Sequence, residues 1–438
     1  MGKKIFLGVS LAVLVVVAGI YLINGAGLSG SSIDTETIQK TKNDYLQPLT
    51  DEPDSQEVSE NKEAMNSENG GDSDSIHSVV DESVHDIDIP RYDMKEYMTI
   101  MENMTLREKV GQLFIIRPES IVKEYHGYET GLNADMRAIY EDYPCGGFAL
   151  FEKNITDEMQ IIKFTTDLHA LKYAPLLCID EEGGLVSRIS NHPNMPVDEI
   201  PNMQDIAETG DAYEAYKVGD NIGSYLKKYG FDVDLAPVAD VNTNPDNPII
   251  GVRAFGDDPV TAGAMVAAVV EGLHNNNIGA CLKHYPGHGD TKTDTHLGYA
   301  ETTKDWEEIL NCEMVPFIAG INANADMVMV AHIAAPRVTG SDEPATLSYT
   351  LITEKLRNEL HYDGIIITDA IEMKAITSVY SSGEAAVKCI QAGVDIVLMP
   401  ENYIEAFDAV VKAVEDGIIT EERINESLLR ILRLKAKY

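Results

Sequence analysis

The chain is short of tryptophan, of positive charge and of patterned cysteine, and each shortage removes a class of function. Trp306 is the single tryptophan in 438 residues. Proteins that grip long polysaccharides lay out several wide aromatic platforms, so a small pocket is expected here rather than a long groove. Lysine and arginine number 34 against 72 aspartates and glutamates, a formal net charge of −38. A polyanion of this strength repels phosphate backbones, which sets nucleic-acid binding aside. The five cysteines (Cys145, Cys178, Cys281, Cys312 and Cys389) are odd in number, scattered and mostly set in apolar runs. No C-x-x-C spacing occurs, so they read as small buried hydrophobes rather than metal ligands.

What is present begins with "MGKKIFLGVSLAVLVVVAGIYLING". Lys3 and Lys4 precede an uncharged apolar run over residues 5–23, near the roughly 20 residues that span a bilayer. The run is longer than a signal-peptide core of about 7–15 residues, and Asn24-Gly25-Ala26 makes a poor cleavage site. Residues 1–24 are therefore read as a membrane anchor, with a cleaved signal as the alternative. The two lysines orient the rest of the chain to the outer side. Residues 25–90, with "DEPDSQEVSENKEAMNSENGGDSDS", are acidic and nearly free of large apolar side chains. Such a segment cannot bury enough surface to offset its ordering entropy, and a disordered stem extended by self-repulsion is expected.

From residue 91 the pattern is regular. Short apolar, β-branched runs recur: "GQLFIIRP" (111–118), "CGGFALFEKN" (145–154), "APLLCIDEE" (174–182), "VDLAPVADV" (233–241), "IGACLKHYPG" (278–287), "ADMVMVAHI" (325–333), "GIIITDAIEM" (364–373) and "GVDIVLMP" (393–400). Near-continuous apolar runs fit parallel strands buried on both faces. Helical patterns such as "DAYEAYKVGDNIGSYLKKYG" and "TAGAMVAAVVEGLHNNN" lie between them. Eight strands alternating with helices predict an α/β fold, a (β/α)8 barrel over residues 91–438. An open doubly wound sheet is disfavoured because no glycine-rich nucleotide loop follows the first strand.

A barrel places its chemistry at the C-terminal ends of the strands. Polar residues fall there: Asp180 after the third run, Asp240 after the fourth, Lys283 and His284 in the fifth, His332 at the sixth and Asp369 at the seventh. Asp240 and His332 also suit a loop-anchoring role. The stretch "KHYPGHGDTKTDTHLG" (283–298) carries three histidines and two aspartates. His284, His288, Asp290, Asp294 and His296 could supply metal ligands, but the His-x-His of barrel metallohydrolases is missing from the first strand. Gly287 and Gly289 could expose N–H groups to phosphate, but no Gly-Lys-Ser/Thr pattern accompanies them. Proton transfer fits best. Asp294 and His296 stand two apart, and a carboxylate bonded to one ring nitrogen raises the basicity of the other. A lone carboxylate such as Asp369, with a separate proton donor, is the arrangement of a double-displacement glycosidase.

These motifs resemble the family-three glycoside hydrolases from about Met104 to Tyr438, and in particular their single-domain β-N-acetylglucosaminidase branch. "MTLREKVGQLF", "IDEEGGLVSRI", "LAPVADVNTNPDNPIIGVRAFGDDP", "KHYPGHGDTKTDTH", "PATLS" and "IIITDAIEM" follow in the family's order. The resemblance implies Asp369 as nucleophile and His296 with Asp294 as the acid/base dyad. It implies Asp180, Arg188, Arg253, Lys283 and His284 as sugar-binding groups. It implies a retaining exo-β-N-acetylglucosaminidase that needs no cofactor and no metal and acts as a monomer on N-acetylglucosaminides such as muropeptides in peptidoglycan turnover. Two residues depart from the pattern: Glu181 stands where glutamine is common, a change expected to alter charge near the sugar, and Tyr285 where phenylalanine is. The chain ends at "ERINESLLRILRLKAKY", without the second domain that carries a glutamate acid/base in the family's β-glucosidases. Rival readings are a β-N-acetylglucosaminide phosphorylase, a β-glucosidase and a non-enzymatic wall-binding protein.

Overall fold

The eight apolar runs become eight parallel strands in the order expected: β1 (Phe114–Ile116), β2 (Gly147–Leu150), β3 (Leu176–Ile179), β4 (Val233–Asp234), β5 (Gly279–Tyr285), β6 (Met327–Val330), β7 (Ile365–Thr368) and β8 (Val397–Leu398). In this computed structural model each strand pairs with its neighbours in sequence, and β8 pairs with β1. A parallel bridge between Ile367 and Ile396 joins the remaining edges, so the sheet closes into a barrel. Every strand residue is buried, which is why the runs do not alternate: helices cover the outside and side-chain layers fill the inside. Two strands, β4 and β8, are only two residues long. Past β4, Pro237 has no N–H to give the ladder. Past β8, Met399 turns to a φ of 45° and Pro400 follows.

The structure describes residues 93–124, 126–291 and 300–438. The chain divides into two units, 1–86 and 87–438, and all described residues belong to the second. The expected anchor (1–24), the acidic stem (25–90) and the pair Asp294 and His296 lie outside the described residues. Among the described residues no helix is long and apolar enough to cross a membrane.

The two quoted helical patterns form Ala212–Lys228 and Pro259–Asn275. The Asp211 and Asp258 side chains cap their first turns, accepting from the N–H of Tyr213 and Thr261. Glycines bring the two helices together. A Cβ on Gly219 would lie 2.4 Å from the Val269 carbonyl oxygen, and one on Gly272 2.4 Å from that of Tyr216.

At the N-terminal end of the barrel, buried Asp395 gathers the last helices. It accepts from Arg357 Nη2 at 2.6 Å, Ser427 Oγ at 2.6 Å, Arg430 Nη1 at 3.2 Å and the N–H of Ile366 at 3.0 Å. This pins the C-terminal helix Glu421–Lys437 across the closing strands. Four of the five cysteines are buried, as expected of small hydrophobes; Cys312 is half-buried, and all are unpaired.

Candidate active site

A cavity of about 350 Å³ opens at the C-terminal ends of the strands. Asp180, Arg188, Arg253, Lys283, His284 and Asp369, all singled out in the sequence, line it together. Trp306 does not; its Nε1 donates to Glu359 at 2.7 Å.

One wall comes from β3 to β5. Asp180 directly follows β3, and Lys283 lies on β5, 103 residues away in sequence. Lys283 Nζ sits 2.7 Å from Asp180 Oδ1 and 2.6 Å from Glu182 Oε1. Arg253, at the end of a helical turn (Gly251–Arg253), grips Glu182 with Nε at 2.8 Å and Nη2 at 2.7 Å. Burial disfavours an ionised Glu182, but Lys283 and Arg253 outweigh it and hold the carboxyl well below the ordinary range. Burial likewise disfavours a charged Lys283, but Asp180 and Glu182 keep it protonated. Arg188 Nη2 reaches Asp180 Oδ2 at 3.5 Å. The result is a clamp of fixed donors and acceptors with little freedom to relax.

Asp240 has the anchoring role. Its buried carboxylate accepts from His284 Nδ1 at 2.7 Å and from the His288 N–H at 2.6 Å. Burial opposes its ionisation, and the two imidazoles and the N–H more than compensate. Because Asp240 takes the Nδ1 side of His284, the ring presents its Nε2 edge as its second polar atom. His288 bonds Thr291 Oγ1 through Nδ1 at 2.6 Å, and burial together with neighbouring His284 pushes its pKa down. His332 is an anchor as well: Nδ1 meets Thr346 Oγ1 at 2.9 Å and Nε2 the Ala370 carbonyl at 3.0 Å.

Asp369 follows β7 directly. Its backbone N–H donates to the Val330 carbonyl at 2.8 Å, and its Oδ1 accepts the Ala370 N–H at 2.7 Å. Burial works against its charge. His332, His284, that N–H and Lys283 overcome burial and leave its pKa below the ordinary 3.8. It is therefore an ionised carboxylate throughout the neutral range.

Sequence reasoning missed Glu182, the centre of the clamp, although "DEE" at a strand end was a signal. It also missed a second wall of Arg117, Phe151, Glu372 and Met373. With these included, the lining holds four cations (Arg117, Arg188, Arg253, Lys283) and four carboxylates (Asp180, Glu182, Asp369, Glu372). The charges balance locally in a chain of strong net charge, which suits an uncharged polar ligand.

The sequence profile of the glycosyl hydrolase family 3 N terminal domain matches residues 105–434. The chain belongs to glycosyl hydrolase family 3. It is 33% identical to "Beta-hexosaminidase A" of Pseudoalteromonas piscicida, over 70% of this chain and 56% of that protein. It is 35% identical to a "Beta-hexosaminidase" of Stenotrophomonas maltophilia (strain R551-3), over 64% of this chain and 84% of that one. Among solved structures it is similar to a glycoside hydrolase family 3 β-N-acetylglucosaminidase from Paenibacillus sp. str. FPU-7, with 36% identity and a TM-score of 0.71, covering 76% of this chain and 62% of that one. The chain thus spans a little over half the length of the first of these relatives.

Within this family 3 barrel, Glu181 corrects one expectation. Its side chain does not line the cavity. Its buried carboxylate instead accepts from the N–H groups of Arg188 (2.6 Å), Ile189 (2.9 Å) and Ser190 (2.9 Å) and from the Tyr225 hydroxyl (2.8 Å). It fixes the backbone that carries Arg188. Glu181→Ala should cost about 2–4 kcal/mol, because a buried acceptor is lost and its donors are left unpaired. It should also raise KM more than it lowers kcat. Glu181→Gln keeps one oxygen acceptor and should cost less than half as much. Thermal unfolding and steady-state kinetics check both variants; an unchanged melting point in Glu181→Ala would refute the anchoring role. Tyr285, the other departure, is buried, and its hydroxyl donates to the Leu351 carbonyl at 2.9 Å.

Proposed function

We propose that this protein is a retaining exo-β-N-acetylglucosaminidase. The observation that carries the reading is Asp369: an ionised carboxylate at the end of β7, facing a charge-balanced cavity beside the Lys283–Glu182–Arg253 clamp. Asp180, Arg188, Arg253, Lys283 and His284 bind the hydroxyls of one terminal sugar. Asp369 attacks the anomeric carbon and forms a glycosyl-enzyme. His296, oriented by Asp294, protonates the leaving oxygen and then deprotonates the incoming water. Two inversions keep the β configuration.

The names of the curated relatives and the solved Paenibacillus enzyme support N-acetylglucosaminides as substrates. The apolar N-terminal run and the acidic stem support a catalytic barrel tethered outside the cell membrane, and peptidoglycan-derived fragments fit that location.

A panel of 4-nitrophenyl β-glycosides tests the reading. The N-acetylglucosaminide should be turned over with a kcat/KM roughly tenfold to hundredfold above that of the glucoside. Proton NMR should show the β-anomer of the free sugar first. A first-formed α-anomer would refute retention, and a preference for the glucoside would refute the substrate. Accumulation of a sugar 1-phosphate in phosphate buffer would replace hydrolysis with phosphorolysis.

A further inference from the structure

The loop after β4, "NTNPDNPII" (242–250), carries two buried asparagines, Asn244 and Asn247. Pro245 and Pro248 follow them directly and disfavour helical backbone at both, which narrows the directions their side chains can take. Asn247 Nδ2 donates to the carbonyls of His288 at 2.8 Å and Thr291 at 3.1 Å, and Asn244 Nδ2 to that of Thr291 at 3.0 Å. The Asn244 N–H adds a bond to the Gly289 carbonyl at 3.2 Å. Every acceptor here is main chain, so these bonds fix the path of residues 288–291 whatever side chains stand there. Gly289 permits the approach: a Cβ on it would lie 2.0 Å from the Val241 carbonyl oxygen. The segment held in this way is the stem of the loop that continues in sequence to Asp294 and His296.

The other end of the Asn247 amide holds the sugar side of the site. Its Oδ1 accepts the N–H groups of Ile249 at 2.9 Å and Ile250 at 2.8 Å. These residues enter the helical turn Gly251–Arg253, and Arg253 Nη1 returns to the Ile249 carbonyl at 3.0 Å. Ile249 and Arg253 both line the cavity, and Arg253 grips Glu182 of the clamp. An exposed asparagine in a turn caps its own backbone. A buried one that bonds two separate segments, with donors on one and an acceptor on the other, fixes the spacing between them.

Resting on the glycosidase reading above, we infer that Asn247 is a positioning residue that sets the proton donor against the bound sugar: its nitrogen fixes the stem of the acid/base loop, and its oxygen fixes the turn that carries Arg253. Asn244 supports the nitrogen side. Proton transfer needs the donor within hydrogen-bond reach of the glycosidic oxygen, and a misplacement of about 1 Å costs about 100-fold.

Asn247→Asp separates the two ends. An ionised carboxylate still accepts from Ile249 and Ile250 but has nothing to donate to the stem. In this variant kcat/KM for phenyl N-acetyl-β-glucosaminide, whose leaving group needs a proton, should fall about tenfold further than kcat/KM for the 4-nitrophenyl glycoside, which hardly needs one. The inhibition constant of N-acetylglucosamine, which reports on the sugar clamp, should change less than about threefold. Asn247→Ala empties both ends, and should add a weakening of that inhibition of about fivefold or more to the same selective loss. Asn244→Ala removes a single bond to the stem and should show a smaller selective loss with the inhibition constant unchanged. Inhibition by N-acetylglucosamine in the same preparation reports on folding, and Asn244→Ala decides if Asn247→Asp does not fold. Equal losses on the two glycosides, or no loss on either, overturn the inference, as does an unchanged inhibition constant in Asn247→Ala. A wild type that cleaves neither glycoside defeats the function reading instead. Amide hydrogen exchange over residues 288–291 then decides: it should be about tenfold faster in the folded asparagine variants than in the wild type, and unchanged exchange overturns the inference.

Discussion

Asp369→Asn should lower turnover of an activated N-acetyl-β-glucosaminide by roughly 10⁴-fold or more, while the melting temperature stays close to that of the wild type. The substitution is nearly isosteric. Asparagine Oδ1 can still accept the Ala370 N–H that Asp369 Oδ1 now accepts at 2.7 Å. The backbone bond from residue 369 to the Val330 carbonyl does not involve the side chain. What disappears is the anionic oxygen. The surroundings keep that oxygen charged, since His332, His284, the Ala370 N–H and Lys283 together override the burial that would neutralise it. The acid limb of kcat/KM, as far as Asp369 sets it, therefore lies below the ordinary aspartate value of 3.8. A site built to stabilise an anion at a strand end serves chemistry rather than packing. Turnover and thermal unfolding on the same sample separate the two roles. A loss smaller than about tenfold would remove Asp369 from the reaction, and a large drop in melting temperature would make it structural.

The strands were legible because burial on both faces writes itself into consecutive residues. "FII", "LLCI" and "IIIT" cannot be placed elsewhere without exposing apolar surface. The position of the chemistry was legible for a related reason, since a barrel directs only the ends of its strands to the open face. Pairings across the barrel were not legible. Glu182 meets Arg253 71 residues later, and Arg117 meets Glu372 255 residues later. Local pattern holds no signal at those separations, because the partners are brought together by strand register alone. Glu181 shows the converse. It is adjacent in sequence to Asp180, yet its side chain leaves the cavity for the backbone of 188–190, because successive residues of an extended segment point to opposite sides. Two neighbouring acids thus do different work, one turned to the ligand cavity and one to the backbone that carries Arg188.

His296 lies outside the described residues, and the effect expected of its loss follows from reaction chemistry. If His296 is the acid/base, its loss matters most when the leaving group is poor. With an activated aryl leaving group, protonation is hardly needed, so the glycosylation step of His296→Ala should survive comparatively well. Deglycosylation still suffers, because water then lacks a base, and the net loss should reach about 10²–10⁴-fold. Azide needs no deprotonation and should restore turnover, releasing a β-glycosyl azide. Asp294→Ala should show a milder form of the same defect, since that carboxylate only orients the ring and raises its basicity. A metal-assisted reaction makes the opposite predictions. Chelator would inactivate the wild type, and azide would rescue neither variant, because the missing function would be a ligand rather than a proton carrier. Measuring rates with and without azide, and with and without chelator, separates the two chemistries: chelator sensitivity together with failed rescue would overturn proton transfer by His296.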